Sequence, residues 1–284
     1  MMKDKVCLVT GATAGLGKAT ARQLARQGAT VIVVGRKGEK SRATVNEIKQ
    51  QTGNPNVESM LADLSVQKEV RALAEQFKSK YQSLNVLVNN AGAIFLRRQE
   101  SADGIEMTFA LNHLNYFLLT NLLLDTLKAS APARIINVSS RAHVRVPGLN
   151  FDDLQNRKGY AGQQVYGQSK LANVLFTYEL ARRLEGTRIT VNALHPGFVA
   201  TRFATNNGVL ARLARPLLDL FAISVEEGAR TMVYLATSPE VEGMTGKYFY
   251  RQQAIPSSPA SYDEEAARRL WEVTATMTGL PIAG

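Results

Sequence analysis

The chain has 284 residues, of which 45% are hydrophobic and 20% charged, a globular composition that excludes a disordered protein. Lys and Arg number 34 against 24 Asp and Glu, a net charge of +10. They are spread in ones and twos, without a basic block or interleaved aromatics, which suits a solvated surface with a local anion site better than a nucleic-acid interface. No apolar run reaches the roughly 18 to 20 residues that cross a bilayer, and Met1 to Lys5 lead straight into the first apolar run, so no stable membrane insertion, no N-terminal anchor and a cytoplasmic location are expected. Cys7 is a lone cysteine, and His113, His143 and His195 show no ligand spacing. No metal site is expected.

Residues 6–10 form a β-branched apolar run ended by Gly11, and residues 18–27 have helical composition up to a stop at Gly28. That order is strand, glycine turn, helix. It repeats: strand 30–34, helix 39–51, strand 57–62, helix 66–81, strand 86–88. A long helix, 107–127, is apolar on more than one face, and strand 134–138, helix 168–184 and strand 189–194 follow. A helix around 231–236, a last strand at 247–250 and a terminal helix at 263–276 complete the chain. Alternation at this spacing predicts one doubly wound α/β domain over residues 1–284, a Rossmann-type parallel sheet of about seven strands with helices on both faces. Two stretches break the pattern. Residues 143–164 read as an insertion, and residues 201–223, with an apolar stripe around Pro216, read as a packed helix pair or as a substrate lid.

Thr10-Gly11-Ala12-Thr13-Ala14-Gly15-Leu16-Gly17 stands where the first strand turns into the first helix. Glycines there let the backbone approach a pyrophosphate, whose charge the helix N-terminus favours. The second strand ends in Gly35-Arg36-Lys37, with no acid to receive a ribose 2′-hydroxyl. Cations there suit the 2′-phosphate of NADP rather than NAD, although Arg36 also reads as a solvated side chain. Asp63, followed by Leu64, reads as an adenine contact or as the cap of a helix beginning near Ser65.

Tyr166-Gly167-Gln168-Ser169-Lys170 sets a phenol and an ammonium one helical turn apart. Such a pair predicts a phenol pKa lowered by the cation, and so a proton donor for a carbonyl or alcohol. The spacing is common by chance, so context decides.

Four separated motifs supply that context: Thr10–Gly17, Asn89-Asn90-Ala91-Gly92, Val138-Ser139-Ser140 and Tyr166 through Lys170. With them the chain resembles a short-chain dehydrogenase/reductase over nearly its whole length. The resemblance implies a catalytic set of Asn112, Ser140, Tyr166 and Lys170, with Ser139 as a turn residue and Asn115 and Asn121 as bland alternatives to Asn112. It implies cofactor contacts from Gly11, Thr13, Ala14, Gly15, Leu16 and Gly17, from Arg36 and Lys37, and from Asp63 and Leu64. Asn90, Ala91 and Gly92 join them, as do Tyr166, Lys170, Pro196, Gly197, Val199 and Thr201.

A narrower similarity, to the retinol dehydrogenase-like branch, is carried by Ser139-Ser140-Arg141-Ala142-His143, Phe151-Asp152-Asp153-Leu154, Ser169-Lys170-Leu171-Ala172-Asn173 and His195-Pro196-Gly197. The Ser140 to Tyr166 interval, about twice that usual in the wider family, fits the branch and implies an inserted loop at the active-site mouth. The expected activity is hydride transfer between NADP(H) and an alcohol or carbonyl, with a lipophilic substrate. The alternative is an NADP-binding regulatory or scaffold protein without turnover. His113 is expected to pack or cap, His195 to fix backbone, and His143 to be the one histidine near substrate. Apolar surplus on helices 107–127 and 168–184 suggests a homodimer or homotetramer.

Overall fold

The computed structural model describes residues 2–198 and 223–281. Side-chain alternation along the first two strands sets its layers. In β1 (Val6–Thr10) Leu8 points to one face of the sheet while Cys7 and Val9 point to the other, and in β2 (Thr30–Gly35) Ile32 and Val34 oppose Val31 and Val33. Both faces are apolar, so both must be covered.

Helices α1 (Gly15–Arg26) and α2 (Gly38–Thr52) cover the Val9 face with Leu24 and Ile48. After β3 (Val57–Leu61), α3 (Gln67–Lys80) brings Leu73 and Phe77 to the Leu8 face. Each such side chain, fully buried, contributes roughly 1.5 to 3 kcal/mol. Next come β4 (Val86–Asn89), a helical stretch of three pieces, α4 (Met107–Phe109), α5 (Asn115–Leu122) and α6 (Leu124–Ala129), then β5 (Ala133–Val138) and α7 (Gly162–Arg183). The chain ends with β6 (Ile189–Leu194), α8 (Val225–Thr237), β7 (Lys247–Tyr250), β8 (Gln253–Ile255) and α9 (Glu264–Thr278). The sheet order is β3-β2-β1-β4-β5-β6-β7-β8, parallel except for the β7–β8 pair. Order reverses between β1 and β4, which places a ligand crevice at the carboxyl ends of those strands.

Three elements depart from the sequence expectation. The sheet has eight strands rather than about seven, because Arg251 and Gln252, at φ 47° and 65°, turn the chain back into an antiparallel edge strand; left-handed turns normally advertise themselves with Gly or Asn. The expected single helix 107–127 is interrupted by a π turn at Ala110–Leu114. There the Asn173 amide donates to the Asn112 carbonyl at 2.9 Å, drawing that carbonyl out of the regular ladder. Helix α7 starts six residues earlier than the predicted 168, so Tyr166 lies inside it.

The terminal helix is stopped by Gly279 in the left-handed conformation, ahead of Pro281. The surplus apolar surface of α5 and α7 is covered within the chain: the Trp271 ring of α9 lies 4.8 Å from Phe117 and 5.9 Å from Phe176. Among the described residues no helix is long and apolar enough to cross a membrane, and no cluster of His, Cys, Asp and Glu could hold a metal. Most of the stretch expected as a lid, residues 201–222, lies outside the described residues, as do Val199 and Thr201.

Candidate active site

The β1–α1 turn is locked to the β4 loop. The Thr10 hydroxyl accepts from the Asn90 and Ala91 amides at 2.8 and 3.0 Å, and the Asn90 side chain donates to the Thr10 carbonyl at 2.8 Å. Helix α1 has no side-chain cap and no acid in its first turn, so its N-terminal amides remain available to an anion. A Cβ at Gly17 would stand 2.6 Å from the Asn90 side-chain nitrogen. Only glycine admits this contact, which brings helix, turn and Asn90 together in the arrangement in which a backbone turn can approach a pyrophosphate.

At the end of β2 the acid-free position has a steric cause. A Cβ on Gly35 would meet the Thr13 methyl at 2.4 Å and the Ser41 hydroxyl at 2.7 Å. Arg36 is exposed and lies 3.5 Å from the Asp63 carboxylate. Burial acts to raise the Asp63 pKa, but hydrogen bonds from the Ser65 hydroxyl and amide, with the Arg36 charge, leave it below the usual value. Asp63 is therefore the acceptor of a turn over Ser65. The N-cap position of α3 belongs to Val66, so the expected cap lies one turn before the helix.

The catalytic candidates converge at the carboxyl ends of β4, β5 and α7's first turns. Asn112, fully buried in the π turn, accepts from the Ala93 amide at 2.9 Å and donates to the Ala93 carbonyl and the Ser169 hydroxyl, both at 3.0 Å. Above Gly92, a Cβ would lie 3.1 Å from Asn112 Oδ1 and 3.4 Å from Lys170 Nζ, so both groups close over the same residue. Asn115 and Asn121 instead bond back to the carbonyls of Leu111 and Phe117 four residues earlier. The Ser139 hydroxyl donates to the Lys170 carbonyl at 2.7 Å, a turn role. Ser140 lies close enough to the Tyr166 phenol to act on it, favouring the ionised form.

The phenol pKa differs from expectation. Burial pushes Tyr166 up to about 12 despite the Ser140 hydroxyl, and burial pushes Lys170 down to about 7. Lys170 Nζ donates to the Val138 carbonyl at 3.0 Å and sits 5.7 Å from the Tyr166 ring centroid. Desolvation of the phenolate outweighs the influence of the Ser140 hydroxyl. What remains is a neutral phenol, a serine hydroxyl near it and a buried amine grouped beside the glycine turn, an arrangement able to hand a proton to an oxygen atom.

The histidines are structural. His113 is fully buried, 3.2 Å from both Asn173 Oδ1 and the Thr274 hydroxyl, and burial lowers it to about 4. His195 accepts from the Gly197 amide at 3.2 Å and stacks on Tyr250 at 4.1 Å, fixing backbone beside Pro196 and Gly197. His143 is buried with both ring nitrogens engaged, which leaves none for substrate. Sequence reasoning passed over three exposed apolar side chains at this end of the sheet: Leu96, Val144 and Phe198, 47%, 56% and 56% exposed. They follow β4, β5 and β6, and solitary apolar residues in loops give no sequence signal. A separate cavity of about 950 Å³, lined by Arg134, Arg182 and Arg188 among others, opens at the opposite, amino ends of the strands and touches none of these groups.

The family model for short chain dehydrogenases matches residues 5–209. The chain belongs to the short-chain dehydrogenase family. Within that family it is 44% identical to human retinol dehydrogenase 13 over 283 residues, covering 97% of this chain and 85% of the relative. It is 42% identical to human polyprenol dehydrogenase, covering 98% and 86%. A short chain dehydrogenase from Burkholderia cenocepacia J2315, solved in complex with NADP, superposes with a TM-score of 0.69 at 27% identity, covering 87% of this chain and 96% of that one. The chain is thus a retinol dehydrogenase-like short-chain dehydrogenase, an oxidoreductase of a family that uses a nicotinamide cofactor.

Proposed function

We propose that the protein is an NADP-dependent oxidoreductase that interconverts a lipophilic alcohol and its carbonyl. The observation that carries the reading is the grouping of Asn112, Ser140, Tyr166 and Lys170 beside an uncapped helix N-terminus whose glycine turn fits a pyrophosphate. The nicotinamide, when bound, donates or accepts the hydride. In the reducing direction Ser140 donates a hydrogen bond to the carbonyl oxygen and Tyr166 delivers the proton; in oxidation the same phenol takes the hydroxyl proton. Lys170 supplies the positive charge that eases phenolate formation once its surroundings become more polar, and Asn112 holds the β4 loop and the α7 hydroxyl of Ser169 in register with it. Arg36, with Lys37 beside it, binds the 2′-phosphate; Leu64 closes the adenine side.

The lipophilic part of the reading is supported by the exposed Leu96, Val144 and Phe198 at the carboxyl ends of the strands, and by relatives named for retinol and polyprenol. An idle NADP-binding protein has no comparable support, since Tyr166 and Lys170 are both present and both buried together. The test is NADPH oxidation with a series of aliphatic aldehydes and ketones of increasing chain length. Turnover rising with chain length is expected. Absence of turnover on every carbonyl, with NADPH bound, assigns the protein to the non-catalytic reading.

A further inference from the structure

We infer that His143 is a positioning residue that holds Ser140 in line with Tyr166, by clamping the Ser140 backbone to the segment before α9. The inference rests on the roles proposed above for Ser140 and Tyr166.

Ser140 is the residue on which the chain leaves β5 and enters a short 3-10 turn, Arg141–Arg145. Its side chain has two tasks there. It accepts from the Ala142 amide at 3.2 Å and it meets the Tyr166 phenol, so a small rotation of the Ser140 backbone moves the hydroxyl away from the phenol. A 3-10 turn of five residues does not fix its own first residue to better than such a rotation, because its hydrogen bonds are few and poorly aligned.

The His143 ring supplies the missing constraint. The Ser140 carbonyl accepts twice from His143, from its backbone amide at 3.1 Å and from Nδ1 at 2.7 Å. At the other side of the ring, Nε2 accepts from the Ser258 amide at 3.0 Å. A backbone amide can only donate, so Nε2 carries no proton, and in the neutral ring the proton is on Nδ1, pointing at the Ser140 carbonyl. Both backbone partners select the same tautomer. The clamp therefore ties Ser140, through His143, to a segment 115 residues beyond that histidine.

Packing holds the ring in that pose. Tyr248 of β7 lies against it with centroids 4.9 Å apart and its hydroxyl 3.4 Å from Nδ1. The other face of this aromatic group continues to His195, 5.8 Å from the Tyr248 ring, which in turn fixes the Gly197 amide. The loops that follow β5 and β6 are thereby tied to one edge of the sheet through two buried imidazoles. His143 touches neither the phenol nor the glycine turn; its effect on turnover passes through Ser140.

Two near-isosteres separate the two bonds. His143→Asn retains a donor where Nδ1 stands and loses the acceptor toward Ser258. His143→Gln retains an acceptor where Nε2 stands and loses the donor toward Ser140. The expected result is a kcat loss of about 10²-fold in His143→Gln, comparable to the cost of displacing a reacting group by about 1 Å, with His143→Asn far less impaired, and with KM for NADPH unchanged in both. A purely structural histidine would give kcat losses that follow the thermal midpoints, and equal kcat in two variants of equal midpoint overturns the inference. Ser140→Ala is the control: if it keeps wild-type kcat, the functional reading of Ser140 is wrong, whereas loss of kcat in Ser140→Ala without loss in His143→Gln overturns only the role of His143. If the variants do not fold, ¹⁵N shifts of the His143 ring in the wild-type protein decide: a neutral ring protonated on Nδ1 is expected, and a proton on Nε2 overturns the clamp.

Discussion

Lys170 stands one turn along α7 from Tyr166, its ammonium 5.7 Å from the phenol ring centroid and hydrogen-bonded to the Val138 carbonyl at 3.0 Å. The two groups are buried together, and burial moves both toward their neutral forms, Tyr166 up to about 12 and Lys170 down to about 7. Such a pair is costly to the resting protein and useful only when a ligand adds polar partners.

Lys170→Met should therefore abolish most turnover while stabilising the nucleotide-free fold. Replacing a poorly compensated buried charge by an apolar side chain of similar length gains about 1 to 4 kcal/mol. The sign follows from a folded pKa of about 7 against the ordinary lysine value of 10.5: the cost of burying the ammonium is absent above about pH 10.5, grows as pH falls, and levels off below about 7. Thermal midpoints at pH 6 and pH 10 check it. A variant stabilised equally at both values would mean that the gain is packing alone.

Tyr166→Phe removes the transferable proton and almost no volume. The expected loss in kcat is about 10²- to 10⁴-fold, with NADPH binding within a small factor of wild type. Stopped-flow single turnovers and a fluorescence titration measure the two separately, and more than a tenth of wild-type kcat would place the proton donor elsewhere.

Much of this arrangement was legible because it is local. The β1–α1 glycine turn, the Asn-Asn-Ala-Gly loop and the Tyr166–Lys170 spacing each fall within a few residues, and the period-2 strands alternate with helices in plain view. What escaped is made by long-range contacts. The π turn around Asn112 exists because Asn173 takes a carbonyl 61 positions away. The β7–β8 hairpin turns on Arg251 and Gln252, residue types that do not announce a left-handed turn. Helix α7 begins at Gly162, and a glycine reads as a breaker until the Phe95 carbonyl that crowds it is known. The raised phenol pKa was invisible for the same reason, since burial is not written in a five-residue motif.

The buried histidines give the fold an acid limit. Burial disfavours the charged form of His113 and lowers its pKa to about 4 in the folded protein, against the ordinary histidine value of 6.5. A histidine with a depressed folded pKa contributes its stability above about pH 6.5 and loses it as pH falls toward 4. At about 1.4 kcal/mol per unit, His113 accounts for a loss of about 3 kcal/mol across that window. Urea unfolding at pH 7, 5.5 and 4.5 should show a steeper decline in wild type than in His113→Gln, and parallel declines would assign the acid sensitivity to other groups.

Cofactor choice turns on a pair that the sequence did not bring together. Arg36 offers the 2′-phosphate a planar donor, yet Asp63 lies 3.5 Å from it and stays ionised, its pKa below normal. On the proposed reading, a bound 2′-phosphate would share Arg36 with a carboxylate that also repels it. One hydrogen bond to a charged group is worth roughly 1.5 to 3 kcal/mol, or about tenfold to a hundredfold. Arg36→Ala should weaken NADP by about that factor and leave NAD nearly unchanged. Asp63→Asn should tighten NADP, since it frees the guanidinium and removes the like charge. An acid designed to reverse the preference belongs at position 36, because at Gly35 its Cβ would strike Thr13 at 2.4 Å; Arg36→Asp is the variant expected to prefer NAD. Titration of wild type and the three variants with both cofactors measures all of this, and wild-type protein that binds NAD as tightly as NADP would reduce Arg36 to a surface residue paired with Asp63.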